Sequence, residues 1–170
     1  SCRFFTASHE TLIWATKTEK SKYTFHYKTA KELNVDTVSE NDFKNGARKQ
    51  LGSVWRFSVA MGSERIKDDE GNKLHSTQKP EGLLYRIIAI SSNLGDLVLD
   101  PFGGTMTTGA MARRMGRDYI MIERDSKYCE YGERRLSSEL EVIGAIERAE
   151  YDEKPLKATM EAMILSGNFI

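Results

Sequence analysis

Residues 97–108 read LVLDPFGGTMTT, and this stretch decides the fold. Leu97-Val98-Leu99-Asp100 is a short apolar strand ending in a carboxylate. A small, hydroxyl-rich loop follows and opens onto a helix over Thr107–Met115, with Gly116 as its C-cap. That order presents backbone N–H groups to a polar ligand. Upstream, HSTQKP at 75–80 begins another helix, because Pro80 suits a first helical position. Leu83, Leu84, Ile87, Ile88 and Ser91 continue at helical spacing, and Asn93 and Gly95 end it. Downstream, Tyr119-Ile120-Met121-Ile122-Glu123 is a second strand that also ends in a carboxylate. The last helix runs from about Ser126 to Leu140, with Asp125 or Ser126 as N-cap. Helix, strand, helix, strand, helix predicts an α/β fold: one right-handed β-α-β unit of a doubly wound parallel sheet.

The first half is less regular. Thr11-Leu12-Ile13-Trp14-Ala15 reads as a buried strand, and the β-formers of Tyr23-Thr24-Phe25-His26-Tyr27 read as another. Residues 28–53 have no clean period, and 53–59, with Trp55 and Phe57, reads as extended. Residues 62–74 are loop-like, with a turn at 69–72. Trp14 and Trp55 are expected in the core. After Val142 the chain becomes charged and linker-like, and an amphipathic stretch follows at 156–165.

The composition of the 170 residues is that of a globular chain, and no apolar run approaches the roughly 20 residues of a membrane helix. No secretory leader pattern is visible, so a cytoplasmic location is expected. Cys2 and Cys129 are isolated and the three histidines are scattered, which argues against a metal site. The net charge of zero hides an asymmetry. Residues 1–80 carry 14 Lys/Arg against 10 Asp/Glu, and residues 81–170 carry 11 against 15. A basic first half is compatible with a polyanion-facing surface and equally with a solvated loop region. There is no initiator Met, and both ends interrupt apolar patterns, so a longer polypeptide is expected.

Asp100 and Glu123 fall at the carboxyl ends of the two strands, where such sheets bind ligands. Their 23-residue separation is near the roughly 20 between a glycine loop and its ribose-binding acid. Glu123 can accept both ribose hydroxyls, or it can cap the helix that follows. Gly103, Gly104 and Gly109 do not form GxGxxG, and no GKS or GKT follows, which argues against pyrophosphate-bearing cofactors. S-adenosylmethionine, an adenosine ligand without pyrophosphate, fits better.

DPFGGTMTT resembles the cofactor motif of amino-methylating DNA methyltransferases, DPF-x-G-(S/T)-G-T-T, and HSTQKP resembles their H-(P/S)-T-Q-K-P motif. Their order resembles the beta-group arrangement. HETLIWA at 9–15, YTFHYK at 23–28, QLGSVWRF at 50–57 and GSERIK at 62–67 are similar to cell-cycle-regulated, GANTC-recognising adenine-N6 enzymes. The likeness covers roughly residues 3–140. It implies a Rossmann-like S-adenosylmethionine-dependent methyltransferase sheet with a loop-rich target-recognition segment. The chain then divides into 1–17 as core strand, 18–74 as recognition segment, 75–140 as cofactor-binding core, and 141–170 as linker and the start of an accessory domain.

The resemblance also implies roles. Asp100, Pro101 and Phe102 shape the loop, with Asp100 near the methionine amino group, and Gly103 and Gly104 admit the ligand to the backbone. Thr105, Thr107 and Thr108 offer hydroxyls to the loop or the cofactor. Thr77, Gln78 and Lys79 take the methionine carboxylate, and Glu123 takes the ribose. Arg48, Gln50, Arg56, Arg65 and Lys67 become the DNA-facing candidates, on phosphates or base edges. Double-stranded DNA is the implied partner, and homodimers occur in the family. The family's catalytic (D/N/S)-P-P-(Y/F) motif is missing: Pro80, Pro101 and Pro155 are all isolated. Beta-group order places that motif upstream of Ser1, on a missing N-terminal part or a separate subunit. Cytosine-N4 methylation and a non-catalytic DNA-binding or specificity subunit are the alternatives to adenine-N6 methylation. Met106 stands where the family usually has glycine. The expectation is that it merely lies close to the ligand and fits without strain.

Overall fold

The computed structural model describes residues 8–34 and 49–138. Its centre is the predicted β-α-β unit. Strand β1 (Leu97–Asp100) pairs in parallel with β2 (Asp118–Met121), Leu97 opposite Asp118 and Asp100 opposite Met121. Gly95 and Asp96 carry the pairing one step further, with Gly95 N–H donating to Gly116 and Asp118 N–H to Asp96.

Four α-helices are present among the described residues: α1 (Tyr27–Glu32), α2 (Glu81–Ser91), α3 (Thr107–Arg114) and α4 (Ser126–Ser138). Pro80 is the N-cap of α2 in extended conformation, one residue before the expected place. Asp125 caps α4, its Oδ1 accepting from Lys127 N–H at 2.9 Å. The core lies where α2 and α3 meet: Tyr85, Ile88, Ala89 and Ile90 against Ala110, Met111 and Ala112, with Ala30 and Leu33 of α1 alongside. The α2 stripe is therefore centred on Tyr85, Ile88 and Ala89, not on Leu83 and Ile87, which are only half-buried. Strand alternation sends Val98, Tyr119 and Met121 toward α3 and leaves Leu97, Leu99, Ile120 and Ile122 exposed. Parallel sheets are generally covered on both faces. Among the described residues only one face of this sheet is.

Both N-terminal strand expectations are corrected. Residues 11–15 form no strand, and Leu12, Ile13 and Trp14 are exposed, with Trp14 stacked on Phe25 at 5.3 Å. Residues 23–26 are irregular and Tyr27 starts α1, anchored by His26 N–H donating to Ile90 O at 2.8 Å. Strand propensity measures fit to a sheet surface, and no described strand lies beside these residues. Trp14 is therefore not a core residue, while Trp55 is half-buried against the core as expected. Residues 53–59 form no strand. The 62–74 segment is a loop with a short 3-10 turn at Gly62–Glu64 and a Lys67–Lys73 bridge closing the 68–72 turn. Tyr131 and Arg134 of α4 hold it at Asp69. The stretches read from 141 onward lie outside the described residues.

Candidate functional site

At the carboxyl end of β1 the chain makes a tight loop. Asp100 organises it: Oδ1 accepts from Phe102 N–H at 2.9 Å and Oδ2 from the Thr108 hydroxyl at 2.6 Å. Gly103 N–H donates to Ile122 O at 2.8 Å, tying the loop to the end of β2. Gly104 has φ 53°, a conformation glycine adopts without steric cost. Its N–H donates to Glu123 Oε2 at 2.8 Å. Glu123 Oε1 accepts from Arg124 and Asp125 N–H at 2.7 and 2.8 Å. These bonds, Asp125 N–H foremost and then those of Gly104 and Arg124, outweigh partial burial. They hold the Glu123 carboxyl below its ordinary value.

HSTQKP faces this loop. One cleft of about 150 Å³ is lined by His75, Thr77, Gln78 and Lys79 from one side and by Asp100, Phe102–Thr105, Thr107 and Thr108 from the other. Nearly all the ligand-facing positions expected from sequence come together here. Pro101 and Glu123 stand at the border, Pro101 exposed and Glu123 beneath Gly104.

Several of these side chains have other partners. Gln78 clamps the 64–66 segment, its Nε2 donating to Glu64 O at 2.6 Å and its Oε1 accepting from Ile66 N–H at 2.9 Å. Lys79 pairs with both oxygens of Glu10, at 2.9 and 2.8 Å. The Thr107 hydroxyl accepts from Arg135, and Thr105 lies 3.4 Å from it, oxygen to oxygen. The threonine hydroxyls therefore build the loop. Met106 is corrected: its φ of 57° is left-handed, so a side chain is held where glycine is the unstrained residue.

Two site residues were missed. His75 packs on Tyr128 with ring centroids 4.7 Å apart. Its Nδ1 accepts from Thr77 N–H at 3.1 Å, which leaves the proton on Nε2 when the ring is neutral. A Cβ on Gly104 would lie 3.6 Å from that Nε2, so the ring forms the cleft wall opposite the loop. Arg135 lies behind the loop, buried, donating to Thr105 O and Thr107 Oγ1 at 3.0 Å each and to Glu81 Oε1 at 2.5 Å. Glu81, first residue of α2, also receives Arg114 on Oε2 at 2.5 Å. Glu64 accepts from Glu81 N–H, and its own burial holds its carboxyl above the ordinary value. These groups line a second, larger concavity of about 370 Å³. There arginines and carboxylates neutralise one another, so it is a structural junction.

Of the DNA-facing candidates, Gln50, Arg56 and Lys67 are exposed. Arg65 is half-buried, with Nε on Ala60 O at 3.0 Å. Arg48 lies outside the described residues.

A parallel β-α-β unit with a glycine loop facing a polar helix-entry segment defines a nucleotide-cofactor fold of the doubly wound class. The N6/N4 DNA methylase family model matches residues 1–134, and the chain belongs to that family. It is 48% identical over 160 residues to the type II methyltransferase M.HinfI of Haemophilus influenzae, covering 94% of this chain and 41% of that protein. It is 41% identical over 142 residues to the type II methyltransferase M2.DpnII of Streptococcus pneumoniae, covering 83% and 47%. The chain thus spans less than half the length of these curated relatives. A crystal structure of the M1.HpyAVI–SAM complex is 28% identical and covers 69% of this chain and 45% of that one, with a TM-score of 0.46.

Proposed function

We propose that this chain is the S-adenosylmethionine-holding part of a DNA methyltransferase that methylates an exocyclic amino nitrogen, adenine N6 in the first reading. The observation that carries this is the single cleft uniting residues 75–79 with the loop at 100–108. The residues fit the cofactor. Gly104 keeps the loop open toward His75, and Glu123, ionised at neutral pH, adjoins it. Of the four acceptor positions of Glu123, backbone N–H groups take three, leaving one for a ribose hydroxyl. Thr77 and Lys79, with the loop backbone, would hold the amino-acid end. When bound, the cofactor supplies an electrophilic methyl group.

The adenine assignment rests on the likeness of residues 9–15, 23–28, 50–57 and 62–67 to the GANTC-recognising enzymes. Cytosine N4 is the second reading, because the matching family covers both chemistries. The 18–74 segment is proposed to face duplex DNA, with the exposed Gln50, Arg56 and Lys67 its contacts. Arg48 belongs to the same proposal. Arg65 is assigned to shaping the segment through Ala60 O. With no Pro-Pro pair among its 170 residues, the chain is proposed to rely on residues outside it to hold the target base.

Calorimetry with S-adenosylmethionine tests the first part, and absence of binding defeats it. Methylation of duplex DNA by the polypeptide as encoded, followed by nucleoside analysis, separates N6-methyladenine from N4-methylcytosine. Neither product appearing defeats the enzymatic reading.

A further inference from the structure

Met106 is the single non-glycine residue at positive φ among the described residues. Its backbone is held on both sides, with its N–H on Gly103 O at 2.8 Å and its carbonyl accepting from Ala110 N–H at 2.9 Å. It therefore closes the glycine loop and opens α3 at once. Its side chain is buried in a slot between two glycines. A Cβ on Gly132 of α4 would stand 2.2 Å from Met106 Cγ and 3.3 Å from its Cβ and Cε. A Cβ on Gly103 would stand 2.9 Å from Sδ. Cγ lies at the root of the side chain, so turning its outer torsions does not clear the Gly132 contact. Either the whole side chain would have to leave its slot by a χ1 change, or the Met106 backbone or α4 would have to move. One turn further along α4, Arg135 holds Thr105 O and Thr107 Oγ1, the residues on either side of Met106.

We propose that Met106 and Gly132 are a matched pair through which helix α4 positions the glycine loop. A left-handed methionine is intrinsically unfavourable. The slot opposite Gly132 offsets that cost by burying the side chain, so the contact with α4 sets the loop conformation. The consequence for ligand binding rests on the reading of this loop as the S-adenosylmethionine site. The positioning itself does not, and can be measured without ligand.

Four full-length chains decide the matter: wild type, Gly132→Ala, Met106→Gly and the double variant. Amide exchange across 103–108 in the ligand-free proteins reads the loop directly, and calorimetry with S-adenosylmethionine reads the consequence. Gly132→Ala is expected to speed loop exchange and weaken affinity at least about tenfold, as overpacking a filled core does. Met106→Gly is expected to speed loop exchange as well, because it removes the side chain that ties the loop to α4, and to weaken affinity less than Gly132→Ala does. The double variant is expected to match Met106→Gly within about threefold, because the clashing partner is gone. Unchanged exchange in Gly132→Ala, or a double variant that behaves like Gly132→Ala, overturns the pairing. Lower thermal stability with unchanged loop exchange and affinity also overturns it, since that is a packing role only. If Gly132→Ala does not fold, recovery of folding by Met106→Gly supports the pair, and failure to recover overturns it. Wild type that binds no S-adenosylmethionine but shows the exchange pattern defeats the ligand reading and supports the pair.

Discussion

Replacing Arg135 with methionine keeps the stem and removes the guanidinium, which isolates the buried junction behind the loop. The Arg135 side chain is 5% exposed and its pair with Glu81 spans 2.5 Å. Removing one partner of a buried ion pair costs about 3–5 kcal/mol, because the remaining charge stays desolvated. Here Glu81 keeps Arg114 on its other oxygen, which argues for the lower end. Thr105 O and Thr107 Oγ1 lose donors as well, and an unsatisfied buried acceptor costs about 1–3 kcal/mol. With both at their lower ends, the combined expectation is a loss of roughly 5 kcal/mol, a large share of the about 5–15 kcal/mol that stabilises a domain. Urea unfolding with an unchanged slope measures it. Changing Glu81 to methionine as well should recover part of the loss, because an apolar pair at such sites is often neutral. Arg114 then loses its bond to Glu81, but it is partly exposed and can be hydrated there. A loss under about 1 kcal/mol for Arg135→Met would refute the reasoning, as would strict additivity of the two substitutions. Either result would mean that the junction is solvated or plays no part in holding the loop.

Replacing Glu123 with alanine releases the N–H groups of Gly104, Arg124 and Asp125, so all three should exchange faster, and S-adenosylmethionine affinity should fall roughly tenfold. If neither changes, Glu123 has no part in the site. The Glu123 carboxyl is held below 4.5, so its contribution is complete above that pH and disappears as pH falls through the lowered value. Protection of the Gly104 amide should follow that profile. Glu64 behaves oppositely. Burial raises its carboxyl above 4.5, so its proton-linked stability is complete below that pH and is lost as pH rises through the raised value. Glu64→Gln keeps an oxygen for Glu81 N–H and should flatten stability between pH 4.5 and neutrality. A Gln variant that tracks the wild-type profile would assign that dependence elsewhere. Gln78→Ala should speed exchange at Ile66 and cost about 1–3 kcal/mol, because both its ties to the 64–66 segment go. Loss of cofactor affinity without faster exchange at Ile66 would show that Gln78 serves the ligand directly.

The second half of the chain was legible because its elements are local and periodic. Pro80 and Gly116 mark helix boundaries within a residue or two, while Gly95 lies four residues past the end of α2; β1 ends in Asp100 as read, and β2 stops at Met121, two residues before Glu123. The first half misled because its aromatic and β-branched runs match a strand in composition but have no described strand to join. Ile13 is 87% exposed as a result. Met106 misled for a different reason. Sequence does not display φ, and the residue that makes room for it, Gly132, comes from a different helix. Arg135 looked like one more charge on a polar helix, and its partner Glu81 lies 54 residues away. A signal was present, since Arg135 follows Gly132 by three positions, on the face of α4 that turns inward.

The two strand-end carboxylates show why one residue type supports both a structural and a ligand-binding reading. Asp100 gives one oxygen to Phe102 N–H and the other to the Thr108 hydroxyl, so it stitches the start of the loop to the first turn of α3. Glu123 gives one oxygen to the turn before α4 and the other to Gly104 N–H, so it stitches the middle of the loop to the second strand. Together they fix the loop from both strands without a ligand, and that lowers the ordering cost of binding. It also limits what binding can use. Only one acceptor position of Glu123 is left, on the oxygen beside Gly104, so a ribose diol can engage both its hydroxyls there only if an amide is released. In the proposed site, the reading of Glu123 taking the whole diol therefore narrows to one hydroxyl at the Gly104 edge. The second hydroxyl would find its acceptor elsewhere on the cleft wall.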